Sequence, residues 1–288
     1  VKVHRPNNAL FKVGEEHTNG YFKYAYPSRP LMPRDTIGAF GDTLVQVYTN
    51  TDSRYCENIT WYDQCMEYFD QGSNWISMPS PLVISGKKYA DAKISSQAFQ
   101  HTANFIKCGK DIFYSLPGDI DFQRGRGTKN GVAWFKRHLP DFDFNAVNIG
   151  GHVDGKIALL RPGLLATWNK NWIPQKLAMW DAIEIPDNAN FPDDFIKTKK
   201  KRYYGEYVKK YLENWIGYAD ESVFDVNVLS VDEQRVIVTG NDPKILRLFE
   251  NKGLTPIFWK FRHQYFWDGG IHCVTADMVR DGGIENYC

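Results

Sequence analysis

The 288-residue sequence lacks the features of a membrane-spanning or disordered chain. It contains no run of about 18 or more apolar residues, so no segment is predicted to cross a bilayer. Its 35 basic and 34 acidic residues nearly cancel, so neither nucleic acid nor a membrane surface is an expected partner. Hydrophobic residues make up 43% of the chain, which is enough for a sizeable globular core.

Cysteines are few, odd in number and widely spaced: the chain has five and no C-x-x-C pair. This pattern disfavours both a zinc knuckle and a dense disulfide framework. Reduced cysteines and a cytoplasmic location are therefore expected. One cysteine could then be a nucleophile, and Cys273 follows two glycines and a histidine. From spacing alone, Cys273 fits a small buried side chain about as well as it fits a nucleophile.

Hydrophobic periodicity indicates a recurring unit of short strands, a helix and a closing strand. Four such ββαβ-like units are predicted, with a partial fifth opening at Gly269. In the fourth unit, Phe224–Val231 and Arg235–Thr239 are predicted to form a hairpin, and Asp242 is predicted to cap the next helix. The earlier helices are predicted near Trp61–Phe69, Gly131–His138 and Gln175–Trp180. The series indicates an α/β ring of repeats and not a doubly wound sheet.

One segment, residues 186–218, falls outside the repeats and is predicted to be an insertion. It carries the basic run Lys199–Arg202, followed by a helical stretch over Tyr204–Trp215. A solvated helix face is the favoured interpretation of the charge run, ahead of a ligand site. The insertion could also act as a lid.

Polar side chains recur beside the predicted strands, at similar places in successive units. If the units form a ring, these side chains converge near its axis. Each residue taken alone also fits a turn, a cap or a satisfied structural role. Glycines precede two of these positions and permit close backbone approach by a ligand. The residues are Asp35, Asp111, His152, Asp154, Asn227, His272 and Cys273.

Five short motifs, taken together, resemble the arginine amidinotransferases over nearly the whole chain. They are Met32–Asp35 (MPRD), Gly109–Phe113 (GKDIF), Gly151–Asp154 (GHVD), Asn227–Leu229 (NVL) with Asp232–Glu233, and Gly269–Cys273 (GGIHC). The resemblance implies the pentein fold, a five-bladed α/β propeller, with residues 1–288 as a single domain. The chain begins near the end of the family's first blade. Either upstream residues precede Val1 or the first blade is incomplete.

The resemblance also implies roles for individual residues. Cys273 corresponds to the nucleophile, His152 to the general acid and base, and Asp111 to the carboxylate that orients His152. Asp35 and Asp154 resemble the pair that grips the guanidinium. Asn227, His272 and Arg161 are expected near the substrate. Arg161 stands where a small residue is more usual, and is expected to hold either a substrate carboxylate or a structural acid.

The implied reaction moves the amidino group of L-arginine to a primary amine such as glycine, through an amidino-cysteine, and releases ornithine. A guanidinium is planar and cationic, so carboxylates hold it by paired hydrogen bonds while a thiolate attacks its carbon. No metal or organic cofactor is expected, and a homodimer is compatible because relatives are often dimers. Two alternatives stay open: an arginine-hydrolysing deiminase or dihydrolase, and an inactive pentein module that only binds a ligand.

Overall fold

The computed structural model describes residues 2–5, 17–18, 23–24, 32–49, 57–81, 97–115, 127–187, 189–190, 220–261 and 269–288. The chain divides into two compact units. The first unit comprises Val1–Val153 and Cys273–Cys288, and the second comprises Asp154–His272. Most of the predicted insertion over 186–218 lies outside the described residues.

The first unit contains two copies of the predicted repeat. A short antiparallel pair, β1 (His17–Thr18) and β2 (Lys23–Tyr24), precedes them. The first repeat consists of α1 (Pro33–Thr36), β3 (Ile37–Phe40), β4 (Thr43–Gln46), α2 (Tyr62–Asp70) and β5 (Asn74–Ser77). The second consists of β6 (Phe105–Cys108), β7 (Asp111–Ser115), α3 (Lys129–His138) and β8 (Asp143–Val147). In each sheet the middle strand pairs antiparallel with the first strand and parallel with the last.

The second unit repeats the same sheet topology twice. Its first sheet consists of β9 (Ile157–Arg161), β10 (Leu164–Thr167) and β11 (Asp181–Glu184). The short strands β12 (Ala189–Asn190) and β13 (Asp220–Glu221) then form an antiparallel pair. Its second sheet follows α4 (Ser222–Val226) and consists of β14 (Leu229–Ser230), β15 (Arg235–Val238) and β16 (Thr255–Phe258), with α5 (Pro243–Glu250) before β16. The predicted arrangement of two antiparallel strands and a parallel closing strand is therefore confirmed four times among the described residues, with an α-helix before the closing strand in three of the four.

The prediction of a helix near Gln175–Trp180 is wrong. Only a single 3₁₀ turn, Gln175–Leu177, forms there, after another at Lys170–Trp172. The amides of Leu177 and Trp180 bond to carbonyls three residues back, at 2.8 and 3.0 Å, and not four residues back as in an α-helix. The crossover between β10 and β11 is therefore made without an α-helix.

The hairpin predicted from Phe224 onward is much shorter than expected. The first three residues of its first arm, Phe224–Val226, belong to the helix α4, and only Leu229 and Ser230 pair with β15. The amide of Asn227 bonds to the Val223 carbonyl at 3.0 Å, which closes a helical turn. Apolar residues at alternate positions of the sequence suggested a strand here, but the tertiary structure overrides that local pattern.

Two helix starts follow from local chemistry. Asp242 caps α5 as predicted, because its Oδ1 accepts a hydrogen bond from the Lys244 amide at 2.8 Å. Thr128 caps α3 in the same way, accepting from the Gly131 amide at 3.0 Å.

At the β6–β7 turn, Gly109 has a φ of +58°, and a Cβ there would lie 1.9 Å from the Glu285 carbonyl oxygen. Glycine is therefore required at this turn.

Each unit has its own hydrophobic core between sheet and helix. In the first unit the rings of Phe105 and Phe135 meet edge to face, with centroids 4.6 Å apart. In the second unit the buried ring of Phe249 in α5 belongs to a cluster with residues of β9 to β11 and β15 and with Val226 and Val228. Among the described residues, no helix combines the length and apolar character needed to cross a membrane.

Candidate active site

Three polar side chains of the first unit converge in one cluster: Asp35, His101 and His152. The facing nitrogens His101 Nδ1 and His152 Nε2 are 3.0 Å apart. The Asp35 carboxylate lies 3.8 Å from His152 Nδ1 and 4.0 Å from His101 Nδ1. The side chains of Asp35 and His101 are 5% and 3% exposed, and that of His152 is 16% exposed. His152 is therefore the member that reaches solvent most readily. We call these three residues the His–Asp cluster.

The starts of successive repeats supply these residues. Asp35 lies in α1, directly before β3, and His101 lies directly before the 3₁₀ turn Thr102–Asn104 that leads into β6. His152 likewise precedes a 3₁₀ turn that leads into β9. Thr102 joins two of these starts, because its hydroxyl donates hydrogen bonds to the carbonyls of Arg34 and Ile37.

The electrostatics of the His–Asp cluster favour a cation. The distances from Asp35 to the two imidazoles exceed a normal hydrogen bond, so those contacts are electrostatic. The closer pair, His101 and His152, is within hydrogen-bond range, so one facing nitrogen donates and the other accepts. When both imidazoles are neutral, the ionised carboxylate gives the cluster a charge of about −1, which attracts a guanidinium or a metal ion.

Asp111 does not occupy the position that its predicted role requires. It is the first residue of β7, opposite Cys108 at the turn of the β6–β7 hairpin, and it accepts a 2.7 Å hydrogen bond from the Asn145 amide. The starts of the repeats lie at the other end of β7, near Ser115, whose hydroxyl donates to the Ile149 carbonyl. Since a strand rises about 3.3 Å per residue, the two ends of β7 are about 13 Å apart. The side chains next to His152 are instead Asp35 and His101.

His101 is the site residue that the sequence reasoning missed. The detectable signal was its position, since it precedes the first strand of its repeat as Asp35 and His152 precede theirs. Asp111 begins the second strand of its repeat and is therefore not equivalent to them.

A second group of predicted residues comes together in the second unit. His272 Nδ1 lies 2.9 Å from Asp154 Oδ2, and the side-chain amide of Asn227 donates to the Asp154 carbonyl at 3.1 Å. Asp154 and Asn227 are almost fully buried. At Gly270, a Cβ would lie 2.6 Å from Asn227 Oδ1, so a glycine is needed for this approach. These contacts fix the chain immediately before Cys273.

Cys273 belongs to the first unit and is partly exposed. The segment after it is held by Arg34, the neighbour of Asp35 in α1. The Arg34 guanidinium donates to the Thr275 carbonyl at 2.8 Å and pairs with Asp277 at 3.2 Å. The helix that presents Asp35 therefore also anchors the chain that carries Cys273.

Two other thiols are poorly suited to act as nucleophiles. Burial raises the pKa of Cys65 to about 11. Burial, with smaller contributions from Cys288 and Asp111, raises the pKa of Cys108 to about 12. Both groups stay protonated near neutral pH, and the thiolate is the reactive form.

Arg161 makes structural contacts within the second unit. Its guanidinium donates to the carbonyls of Glu233 and Lys252, at 3.1 and 2.8 Å. Both acceptors are backbone oxygens of turns, so neither a substrate carboxylate nor a structural acid is needed to explain the residue.

Comparison with solved structures identifies the fold. An amidinotransferase of the saxitoxin biosynthetic pathway from Microseira wollei superposes with a TM-score of 0.73 at 22% identity, covering 96% of this chain and 78% of that one. Dimethylarginine dimethylaminohydrolase from Pseudomonas aeruginosa superposes with a TM-score of 0.57 at 12% identity, covering 85% and 74%. The chain has the pentein fold that these enzymes share.

Comparison with curated proteins confirms the resemblance to the amidinotransferases. L-arginine:L-lysine amidinotransferase of Pseudomonas savastanoi pv. phaseolicola is 28% identical, covering 100% of this chain and 76% of that protein. Inosamine-phosphate amidinotransferase 1 of Streptomyces griseus is 26% identical, covering 100% and 78%. Mitochondrial glycine amidinotransferase of Gallus gallus is 26% identical, covering 89% and 60%. No protein-family model matches the chain.

Proposed function

We propose that this protein is an amidinotransferase that takes the amidino group from L-arginine and gives it to a primary amine. The observation that carries the proposal is the His–Asp cluster, a buried carboxylate beside an imidazole that faces solvent, in the same unit as a partly exposed thiol. The three curated relatives described above are amidinotransferases and support the same reaction class.

In the first step the Asp35 carboxylate binds the guanidinium of arginine. A carboxylate and a guanidinium match in geometry, since two oxygens accept two parallel N–H groups. Burial of Asp35 strengthens the attraction because little water competes with the substrate. The bound cation then lies beside His152 Nδ1, which faces Asp35 at 3.8 Å.

The Cys273 thiolate then attacks the guanidinium carbon and forms a C–S bond. The positive charge of the bound substrate favours loss of the thiol proton, because the thiolate is stabilised beside a cation. His152 takes this proton at Nδ1. For Nδ1 to accept it, Nε2 must already carry a hydrogen, which it donates to His101 Nδ1 at 3.0 Å. His101 thus selects the tautomer of His152.

The tetrahedral adduct collapses when the bond between the central carbon and the side-chain nitrogen breaks. His152 returns its proton to the departing nitrogen, so ornithine leaves as a neutral amine. Cys273 keeps the amidino group. A primary amine then attacks the same carbon, passes a proton to His152 and displaces the thiolate. The product is a guanidino compound, and the scheme is ping-pong.

The acceptor is a primary amine, and lysine and glycine are the first candidates. The relatives are named for lysine, an inosamine phosphate and glycine, so the acceptor varies among proteins of similar identity to this one.

The test is to incubate the protein with arginine and each amine and to measure ornithine. Ornithine and a guanidino product that depend on the amine support the proposal. Cys273→Ala should abolish both, whereas Cys288→Ala, at an exposed thiol, should leave them unchanged. Citrulline, or ornithine with ammonia, formed without any amine would instead assign the protein to the arginine-hydrolysing enzymes; the arginine dihydrolase ArgZ is among the structural neighbours.

A further inference from the structure

We propose that Asp35, His101 and His152 also form a binding site for one divalent transition-metal ion, for which Zn²⁺ is the test ion. Each residue offers one ligand atom, and the three atoms lie within 4.8 Å of one another. The proposal rests on this geometry and not on the amidinotransferase reaction. The resemblance to the amidinotransferases implied a site without metal, and the histidine at position 101 is what changes that expectation.

The ligand types select the class of ion. Zn²⁺ is bound by imidazole nitrogen and carboxylate oxygen, and two histidines with one carboxylate leave a fourth position open. The same set suits other first-row ions such as Fe²⁺. Mg²⁺ and Ca²⁺ prefer sites built from oxygen ligands, so they should bind far more weakly here.

The distances fit a metal of this size. Zinc–ligand bonds of about 2.0–2.1 Å in a tetrahedron place neighbouring ligand atoms about 3.3 Å apart. The nitrogens His101 Nδ1 and His152 Nε2 are 3.0 Å apart, and the carboxylate of Asp35 is 4.0 Å from His101 Nδ1. All three ligand atoms lie within 4.8 Å of one another, so shifts of about 1–2 Å bring them to bonding distance, and the short Asp35 side chain can contribute by rotation.

The charge of the His–Asp cluster and the burial of its carboxylate both favour binding of a divalent ion. The buried carboxylate gives the cluster a charge of about −1 when both imidazoles are neutral, and a divalent ion compensates this charge at close range. Both imidazoles bind as neutral ligands, since each keeps its hydrogen on the nitrogen that does not face the metal. The partial exposure of His152 gives the ion a route from solvent.

Metal binding and amidino transfer exclude each other if the proposed function is also correct. The ion occupies the Asp35 carboxylate, which guanidinium binding requires, and His152 Nε2. His152 then carries its hydrogen on Nδ1, so Nδ1 has no lone pair left to accept the thiol proton. Zinc is then a reversible inhibitor of the enzyme, and a chelator restores turnover.

The experiment is titration of the metal-stripped full-length protein with Zn²⁺ in competition with a chromophoric chelator, and with Co²⁺ followed by its visible absorption. Three substitutions are compared with the unmodified chain: His101→Asn in the cluster, His138→Asn as a matched control on an exposed helix position, and Cys273→Ser. Circular dichroism reports whether each variant is folded. The Co²⁺ spectrum of the unmodified chain tests the site even if a variant fails to fold.

One equivalent of Zn²⁺ is expected to bind the unmodified chain, His138→Asn and Cys273→Ser alike. A Co²⁺ spectrum of four-coordinate intensity is expected for the unmodified chain. The dissociation constant should rise at least about tenfold in His101→Asn, since losing even an outer partner of a ligand costs about 10- to 100-fold.

Failure of the unmodified chain to bind would overturn the proposal, and so would binding that survives in folded His101→Asn or is lost in Cys273→Ser. These measurements need no turnover, so a chain that binds zinc but produces no ornithine would refute the proposed function alone.

Discussion

At the scale of single residues, His152 lies between an imidazole, that of His101, and a carboxylate, that of Asp35. His101 faces its Nε2 at 3.0 Å, and Asp35 faces its Nδ1 at 3.8 Å. This asymmetry gives the two nitrogens different tasks: one is held in a hydrogen bond, and the other exchanges protons with the substrate.

Replacing His101 by Gln tests its role as a positioning residue. A hydrogen bond to a group that becomes charged contributes about 1.5–3 kcal/mol. We therefore expect kcat to fall about 10- to 100-fold while KM for arginine changes little. Steady-state kinetics with ornithine detection would measure both constants. His138→Gln is the matched control, and a rise in KM without loss of kcat in His101→Gln would contradict the assignment.

Asp35 and Asp111 are predicted to respond differently to the same substitution. Asp35→Asn removes the charge that binds the guanidinium, so kcat/KM for arginine should fall at least about 100-fold. Asp111→Asn weakens the hydrogen bond from Asn145 and should cost about 1 kcal/mol of stability, with kcat/KM nearly unchanged. Kinetics and urea unfolding of the two variants separate these effects. A large kinetic loss in a stably folded Asp111→Asn protein would restore the role first expected for Asp111.

At the scale of elements, α1 has two tasks, since it presents Asp35 to the cluster and holds the segment after Cys273 through Arg34. Arg34→Gln should break the ion pair with Asp277 and lower stability by about 1.5–3 kcal/mol. It should also slow alkylation of Cys273 by iodoacetamide, because the thiol is no longer held in place. Arg280→Gln, at an exposed partner of the same carboxylate, is the control. Equal effects of the two substitutions would argue against a special role of Arg34.

The buried thiols of α2 and β6 predict how stability depends on pH. An ordinary thiol ionises near pH 9, whereas burial raises the pKa of Cys65 to about 11 and that of Cys108 to about 12. Above pH 9 the unfolded chain therefore binds fewer protons than the folded one, and stability falls as pH rises.

Urea unfolding of the unmodified protein and of Cys65→Ala, between pH 8 and pH 11, measures this slope. We expect Cys65→Ala to be less stable at pH 8 but to lose less stability on the way to pH 11. An identical slope in the two proteins would show that Cys65 ionises equally in both states.

Some helices and strands could be predicted from the sequence more accurately than others. The strand β15, which is rich in β-branched residues, was predicted to within one residue. The cap at Asp242 was predictable because it is a local interaction: the Asp242 side chain accepts a hydrogen bond from the amide of Lys244, two residues further along the chain. Local pattern failed at α4 and after Pro174, where helix, 3₁₀ turn and strand share similar apolar spacing and tertiary packing decides between them.

At the scale of the whole molecule, the described part of the chain contains four copies of one sheet topology, two in each compact unit. The repeat explains how residues far apart in sequence become neighbours: Asp35, His101 and His152 are each about 50 to 65 positions apart and occupy the same place in successive repeats. Motifs alone assigned Asp35 and His152, because each stands inside a recognisable sequence pattern. His101 stands in none of these motifs, and its signal was its position before the first strand of its repeat.

The most direct test of amidino transfer through Cys273 is mass spectrometry of the protein after exposure to arginine without an acceptor amine. We expect an added amidino group on the peptide that contains Cys273, with ornithine released in equal amount, and loss of the added group when lysine or glycine is supplied. An unmodified Cys273 peptide, or an amidino group on another cysteine, would contradict the account.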